Sequence, residues 1–196
     1  MKESESVPHR KEEQRMHMIS REIIAKNRWT TIVQEEFKTE TGKEGNYLIV
    51  ERKPALMIIP IIKENDTFFT YLVKQHRYPI AKEVWQFPMG TLDENAELED
   101  HAKKELQEET GLLTDSMTFM GSYFIDPGLS RQECRVYIAQ NIIEGGEQNP
   151  EETEEGMIAQ RFSLEELEKL IADNQLIDGW IYPGIYFLKQ FLMKKG

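Results

Sequence analysis

Glu105, Glu108 and Glu109 place three carboxylates within five residues, beside Leu106 and directly ahead of Thr110-Gly111. Like charges three and four residues apart on a helix repel one another. A chain tolerates that on a solvated face, or where a cation neutralises the cluster. The surrounding residues decide between the two. If 96–110 is helical, each residue advances by about 100°. With Leu98 as origin, Ala102 and Leu106 then fall near about +40° and +80°, Glu105 and Glu109 near about −20° and +20°, and Glu108 near about −80°. Two of the three glutamates therefore share the apolar face, while Glu99, Asp100, Lys103, Lys104 and Gln107 lie towards the other side. A carboxylate turned into a core must be paired, protonated or bound to metal. All-oxygen ligands favour a hard ion such as Mg²⁺, which keeps several waters and is readily shared with substrate phosphates.

A helix needs ends, and a site needs elements around it. Asn95 is a candidate N-cap and Gly111 a candidate C-terminal stop. Residues 1–15 are polar and charged, and are expected to be frayed. The stripe Met18, Ile19, Ile23 and Ile24 predicts a short helix over 16–27. RWTTIVQEEF and NYLIVERK, joined by TETGKEG, predict a β-hairpin. Further strands are expected at 55–62, 68–77, 84–88, 117–125, 135–143 and 157–162. Ser163 with Glu166 has a capping-box pattern, and Pro183 opens a C-terminal helix. Strands, one central helix, more strands and then helices imply an α+β fold and not a regular βαβ alternation.

The 196 residues suffice for one sizeable core plus an accessory element. A formal net charge of −11 argues against a nucleic-acid partner, since such partners call for a basic face. A small anionic substrate needs local positive charge, which a metal supplies. No run is long and apolar enough for a membrane span, the N-terminus has no apolar signal region, and the one cysteine, Cys134, cannot form an intrachain disulfide. These features lead to the expectation of a cytoplasmic protein. His9, His17, His76 and His101 are scattered without metal-ligand spacing, and His101 is expected to pack at the rim of the acidic helix.

The stretch GTLDENAELEDHAKKELQEETGL resembles the signature of the Nudix hydrolase superfamily, a loop and helix ending in Arg-Glu-x-x-Glu-Glu-x-Gly. Gly90, Glu105, Leu106, Glu108, Glu109, Gly111 and Leu112 stand at matching positions. Ala96 departs where the signature has Glu, and Lys104 where it has Arg. VKQHRYP, VWQFPMG and DPGLS are similar to segments flanking that signature in the ADP-ribose and nucleoside-diphosphate-sugar pyrophosphatase subfamily. Gln86 departs from the Glu usual there.

The resemblance implies a Nudix fold, a mixed β-sheet sandwiched between helices, with an N-terminal β-hairpin element. It divides the chain into a tail, helix and hairpin over 1–52, which forms a homodimer, and a hydrolase domain over 53–196. Glu105, Glu108, Glu109 and the Met89 carbonyl are the implied metal ligands, for Mg²⁺ with Mn²⁺ as a substitute. Glu105 and Glu109 are also the implied catalytic residues, with Glu154 or Glu155 as the base on the loop NPEETEEG. Trp29 is implied to stack on adenine, and Arg77, Gly128 and Ser130 to face the nucleotide sugar. The implied reaction is hydrolysis of the pyrophosphate bond of ADP-ribose, or of another nucleotide sugar such as GDP-mannose, to two monophosphates. The alternative is a nucleotide-sugar sensor with little catalysis.

Overall fold

A computed structural model describes residues 15–92, 97–150 and 156–195. The chain divides into two compact units, Met1–Glu51 and Arg52–Gly196.

The first unit is a three-stranded antiparallel sheet in the order β1-β2-β3. Its strands are β1 (Met16–Lys26), β2 (Thr31–Thr39) and β3 (Glu44–Glu51). The hairpin of β2 and β3 is the one expected from sequence. The helix expected over 16–27 is instead β1. Two bulges explain the misreading: the pairing with β2 skips Ile19 between Met18 and Ser20, and Ile24 between Ile23 and Ala25. Each bulge inserts a residue and resets the two-residue alternation. The apolar doublets Met18-Ile19 and Ile23-Ile24 therefore mimic a helical stripe. The expected fraying of the first residues lies outside the described residues, apart from Arg15.

The second unit is built on a mixed sheet in the order β8-β4-β10-β9, where β4 (Ala55–Pro60) runs parallel to β10 (Glu133–Gln140) and β8 is Met89–Thr91, β9 Ser116–Phe124. β4 is buried along its whole length, because both faces of it are covered. Leu56 and Ile58 point into one core with Ala102 and Leu106 of helix α1 (Leu98–Thr110). Met57 and Ile59 point into the other with Ile181, Ile185 and Leu188 of helix α3 (Ile181–Lys195). This is the period-two alternation of a strand between two helical layers, and it matches the expected α+β sandwich.

A second, antiparallel sheet holds β5 (Ile62–Glu64), β6 (Thr67–Arg77), β7 (Lys82–Gln86) and β11 (Ile158–Ser163). Helix α2 (Leu164–Ala172) follows β11 and starts on the expected capping box: Ser163 Oγ accepts from the Glu166 N–H, and Glu166 Oε2 from the Ser163 N–H at 2.7 Å. The expected Asn95 cap of α1 lies outside the described residues. The helix starts later than expected, with Glu97 as N-cap and no side-chain capping bond. The C-terminal helix starts at Ile181, ahead of Pro183. Among the described residues, no helix is long and apolar enough to cross a membrane.

Candidate active site

Helix α1 is seated by its apolar stripe, with Ala102 and Leu106 fully buried against β4. That seating turns the same face of the helix, and with it two glutamates, towards β8. Glu109 is only 1 % exposed. Its Oε2 accepts the Met89 N–H at 3.0 Å, and its Oε1 is sealed from solvent. Glu105 lies against Gly90, so closely that a Cβ there would stand 2.2 Å from its carboxyl carbon. Gly90 is thus fixed by space, and the glutamate occupies the volume that any side chain would need. His101 Nε2 lies 3.1 Å from Glu105 Oε1 and 2.9 Å from the Thr91 carbonyl oxygen. Both neighbours are acceptors, which assigns the proton to Nε2. His101 therefore sits at the rim of the apolar face of α1, as expected, and bridges Glu105 to the end of β8.

Glu108 behaves differently. It points to the side of α1 and pairs with Lys104 at 3.0 Å, with 27 % of its side chain exposed. Among the described residues, no three His, Cys, Asp or Glu side chains converge as a ready-made metal group. What the strand and helix bring together is an all-oxygen set at Met89–Gly90: two carboxylates at one stretch of backbone, one of them buried. That donor set fits a hard divalent cation.

The C-terminal end of α1 is held by a second loop. Gly111 takes the left-handed conformation (φ 71°) and stops the helix as expected. Its carbonyl accepts the Gly146 N–H at 2.9 Å, the Glu108 carbonyl accepts the Asn149 N–H at 2.9 Å, and Gln148 Nε2 donates to the Glu109 carbonyl at 2.7 Å. These bonds satisfy carbonyls that a helix end leaves open. Glu154 and Glu155, expected on the continuation of this loop, lie outside the described residues.

Met89, Gly90 and Thr91 also form part of the wall of a cavity of about 410 Å³. Arg52 and Arg77 line it, along with Gln75, Gln86 and Gln132. Two arginines against one lining aspartate, Asp178, make this cavity locally cationic in a chain of net charge −11. Gln86 is 1 % exposed, and its Oε1 accepts from Arg77 Nη2 at 2.6 Å. A neutral amide orients the guanidinium without cancelling its charge. Gln132 is held by its own Nε2, which donates to the Lys53 carbonyl at 3.0 Å.

The remaining sequence candidates fall as follows. Gly128 and Ser130 belong to a turn in which the Asp126 carbonyl accepts the Ser130 N–H at 2.7 Å, and Ser130 Oγ accepts the Gln132 N–H at 3.1 Å. The turn thus presents Gln132 to the cavity. Trp29 belongs to the N-terminal unit, 44 % exposed, with the Arg28 guanidinium 4.3 Å from its ring centre. Glu133 is held by Ser122 and Arg135, which keep its carboxyl below the usual range. Cys134 is fully buried, and burial pushes its thiol up to about 11. The sequence alone does not single out Arg52, Gln75, Gln132, Asp178 or Trp180, which come from four separate stretches of the chain and meet only when it folds.

Comparison with known proteins places this arrangement. The NUDIX domain matches residues 51–181, more than half of the chain, and the chain belongs to the Nudix domain family. It is 24 % identical over 171 residues to an ADP-ribose pyrophosphatase of Bacillus subtilis (strain 168), covering 87 % of this chain and 91 % of that protein. It is 21 % identical over 191 residues to the ADP compounds hydrolase NudE of Escherichia coli (strain K12), covering 93 % and 96 %. A crystal structure of an ADP compounds hydrolase has the same fold, with a TM-score of 0.79 at 20 % identity, over 93 % of this chain and 97 % of that one.

Proposed function

We propose that this chain hydrolyses the pyrophosphate bond of ADP-ribose, or of a closely related nucleoside diphosphate sugar, to two monophosphates; from ADP-ribose these are AMP and ribose 5-phosphate. The observation that carries this reading is the cationic cavity of Arg52 and Arg77, one wall of which is the backbone that Glu105 and Glu109 approach.

Arg77, held by Gln86, and Arg52 bind the diphosphate oxygens, for which a guanidinium's planar donors are suited. Glu105 and Glu109 would hold a divalent cation, Mg²⁺ with Mn²⁺ as a substitute, joined by the Met89 carbonyl and by Glu108 once released from Lys104. When bound, that ion neutralises the diphosphate and lowers the pKa of an attacking water. His101 keeps Glu105 aligned on Gly90. Glu154 or Glu155 takes the proton from the water. Gly128 and Ser130 shape the turn that presents Gln132.

The same reading includes a homodimer. β1 is an edge strand, and Met18, Ile19 and Ile23 on it are 60 %, 54 % and 56 % exposed. An exposed apolar edge strand is a surface for a second copy. Sedimentation of the full chain is expected to give a dimer, and a monomer would remove this part. A cytoplasmic location accords with the single buried cysteine.

The reading is tested by AMP release from ADP-ribose, and by monophosphate release from a panel including GDP-mannose, with and without Mg²⁺. Metal-dependent release from ADP-ribose is expected. Tight binding of ADP-ribose without release would instead establish a sensor.

A further inference from the structure

The cavity also carries a group that the diphosphate does not use. Asp178 and Trp180 line it from the connection between α2 and α3. The corner is built and not loose: Asp178 Oδ1 accepts the Trp180 N–H at 2.8 Å, and the Trp180 carbonyl accepts from Tyr123 Oη at 3.4 Å. The indole lies at 6.0 Å and 55° to the Tyr123 ring. With Oδ1 engaged by the Trp180 N–H, Oδ2 is the Asp178 oxygen left for a ligand. As an anion the side chain repels phosphate, and as a carboxylate it can only accept hydrogen bonds. The chemistry that satisfies it is a neutral donor pair such as the hydroxyls of a sugar, and an indole beside it offers an apolar face to the sugar ring.

Resting on the activity proposed above, we propose that Asp178 and Trp180 form a subsite for the hydroxyl-bearing sugar beyond the diphosphate. Asp178 accepts hydrogen bonds from vicinal hydroxyls, and Trp180 packs against the ring. The subsite sets specificity in two directions. It favours diphosphates that end in a sugar, and it disfavours nucleoside triphosphates, whose third phosphate would meet a carboxylate. The arginines alone do not make that distinction.

Asp178→Asn tests this with little risk to the fold, because an asparagine Oδ1 can still accept the Trp180 N–H. Binding of ribose 5-phosphate and of inorganic phosphate to the full chain is measured by calorimetry. The variant is expected to bind ribose 5-phosphate about tenfold more weakly, the loss typical of one hydrogen bond to a charged group, while inorganic phosphate binding is not weakened. Trp180→Ala should show the same split, and Trp180→Phe should restore part of it. In turnover, the preference for ADP-ribose over ATP in kcat/KM is expected to shrink about tenfold in Asp178→Asn, mainly through KM. Parallel changes for ribose 5-phosphate and phosphate, or no change for either, would overturn the subsite. Should the wild-type chain hydrolyse no diphosphate, the activity reading fails on its own, and the ribose 5-phosphate measurement still decides the subsite.

Discussion

Gly90→Ala separates the role of Glu105 from the stability of the fold. A Cβ on residue 90 would stand 2.2 Å from the Glu105 carboxyl carbon, 2.4 Å from Cγ and 2.5 Å from Oε1. Carbon atoms settle at about 3.5 Å or more, so the carboxyl group must retreat by roughly 1.3 Å. The obstacle is the end of a flexible side chain, so the helix need not move. The expected stability loss is about 1 kcal/mol, the low end for an overpacked site. The functional loss should be far larger. Displacing a positioned catalytic group by about 1 Å costs on the order of a hundredfold in rate. The retreat also strains the contact with His101, at 3.1 Å from Oε1. Chemical denaturation gives the stability, and Mg²⁺-dependent AMP release from ADP-ribose gives kcat and the metal dependence. A variant that unfolds slightly earlier, turns over about a hundredfold more slowly and needs more metal agrees with the reasoning. Wild-type kcat at wild-type metal concentration would refute it, because Glu105 would then have moved without consequence.

Arg77→Ala is expected to raise KM for ADP-ribose by roughly 10- to 100-fold through loss of a charged hydrogen bond, with Arg77→Lys recovering only part of it; steady-state kinetics checks both. Gln86→Glu places a counter-charge on the Arg77 guanidinium that now lies 2.6 Å from an amide oxygen, so weaker binding of the diphosphate is expected, read as a higher KM. Burial and the hydrogen bond to Glu144 push the Tyr71 phenol up to about 12. Because its folded pKa is raised, the stabilisation it brings is complete below the unfolded value of about 10 and is lost as pH rises towards about 12. Denaturation of wild type and Tyr71→Phe should therefore converge across that alkaline range, and a constant difference would contradict the assignment.

How much of this was legible in the sequence depends on how local each signal is. The inward turn of Glu105 and Glu109 follows from their spacing relative to Leu98, Ala102 and Leu106, and the helix stop from Gly111, all within one element. The alternation of β4 is likewise local, though its burial on both faces reads as one unbroken apolar run. β1 reads as a helical stripe because the residues that break its alternation, Ile19 and Ile24, sit in bulges whose position only the pairing with β2 reveals. The cavity was least legible. Arg52, Gln132 and Asp178 have no fixed spacing, and their meeting is a product of how β4, β10 and the α2–α3 connection pack. Glu108 shows a subtler gap: its angle on the helix placed it to the side, but its pairing with Lys104 depends on a side-chain contact that spacing permits and does not require.

Glu105 and Glu109 are expected to gather a divalent cation at the Met89–Gly90 backbone. Electron paramagnetic resonance of Mn²⁺ titrated into the wild-type chain, Glu105→Gln and Glu109→Gln measures this without substrate or turnover. Saturable Mn²⁺ binding in the wild type, weakened at least about tenfold in each variant, is the predicted result, in line with the loss of one ionised ligand. Binding that is equally tight in all three proteins, or absent from the wild type, would contradict it.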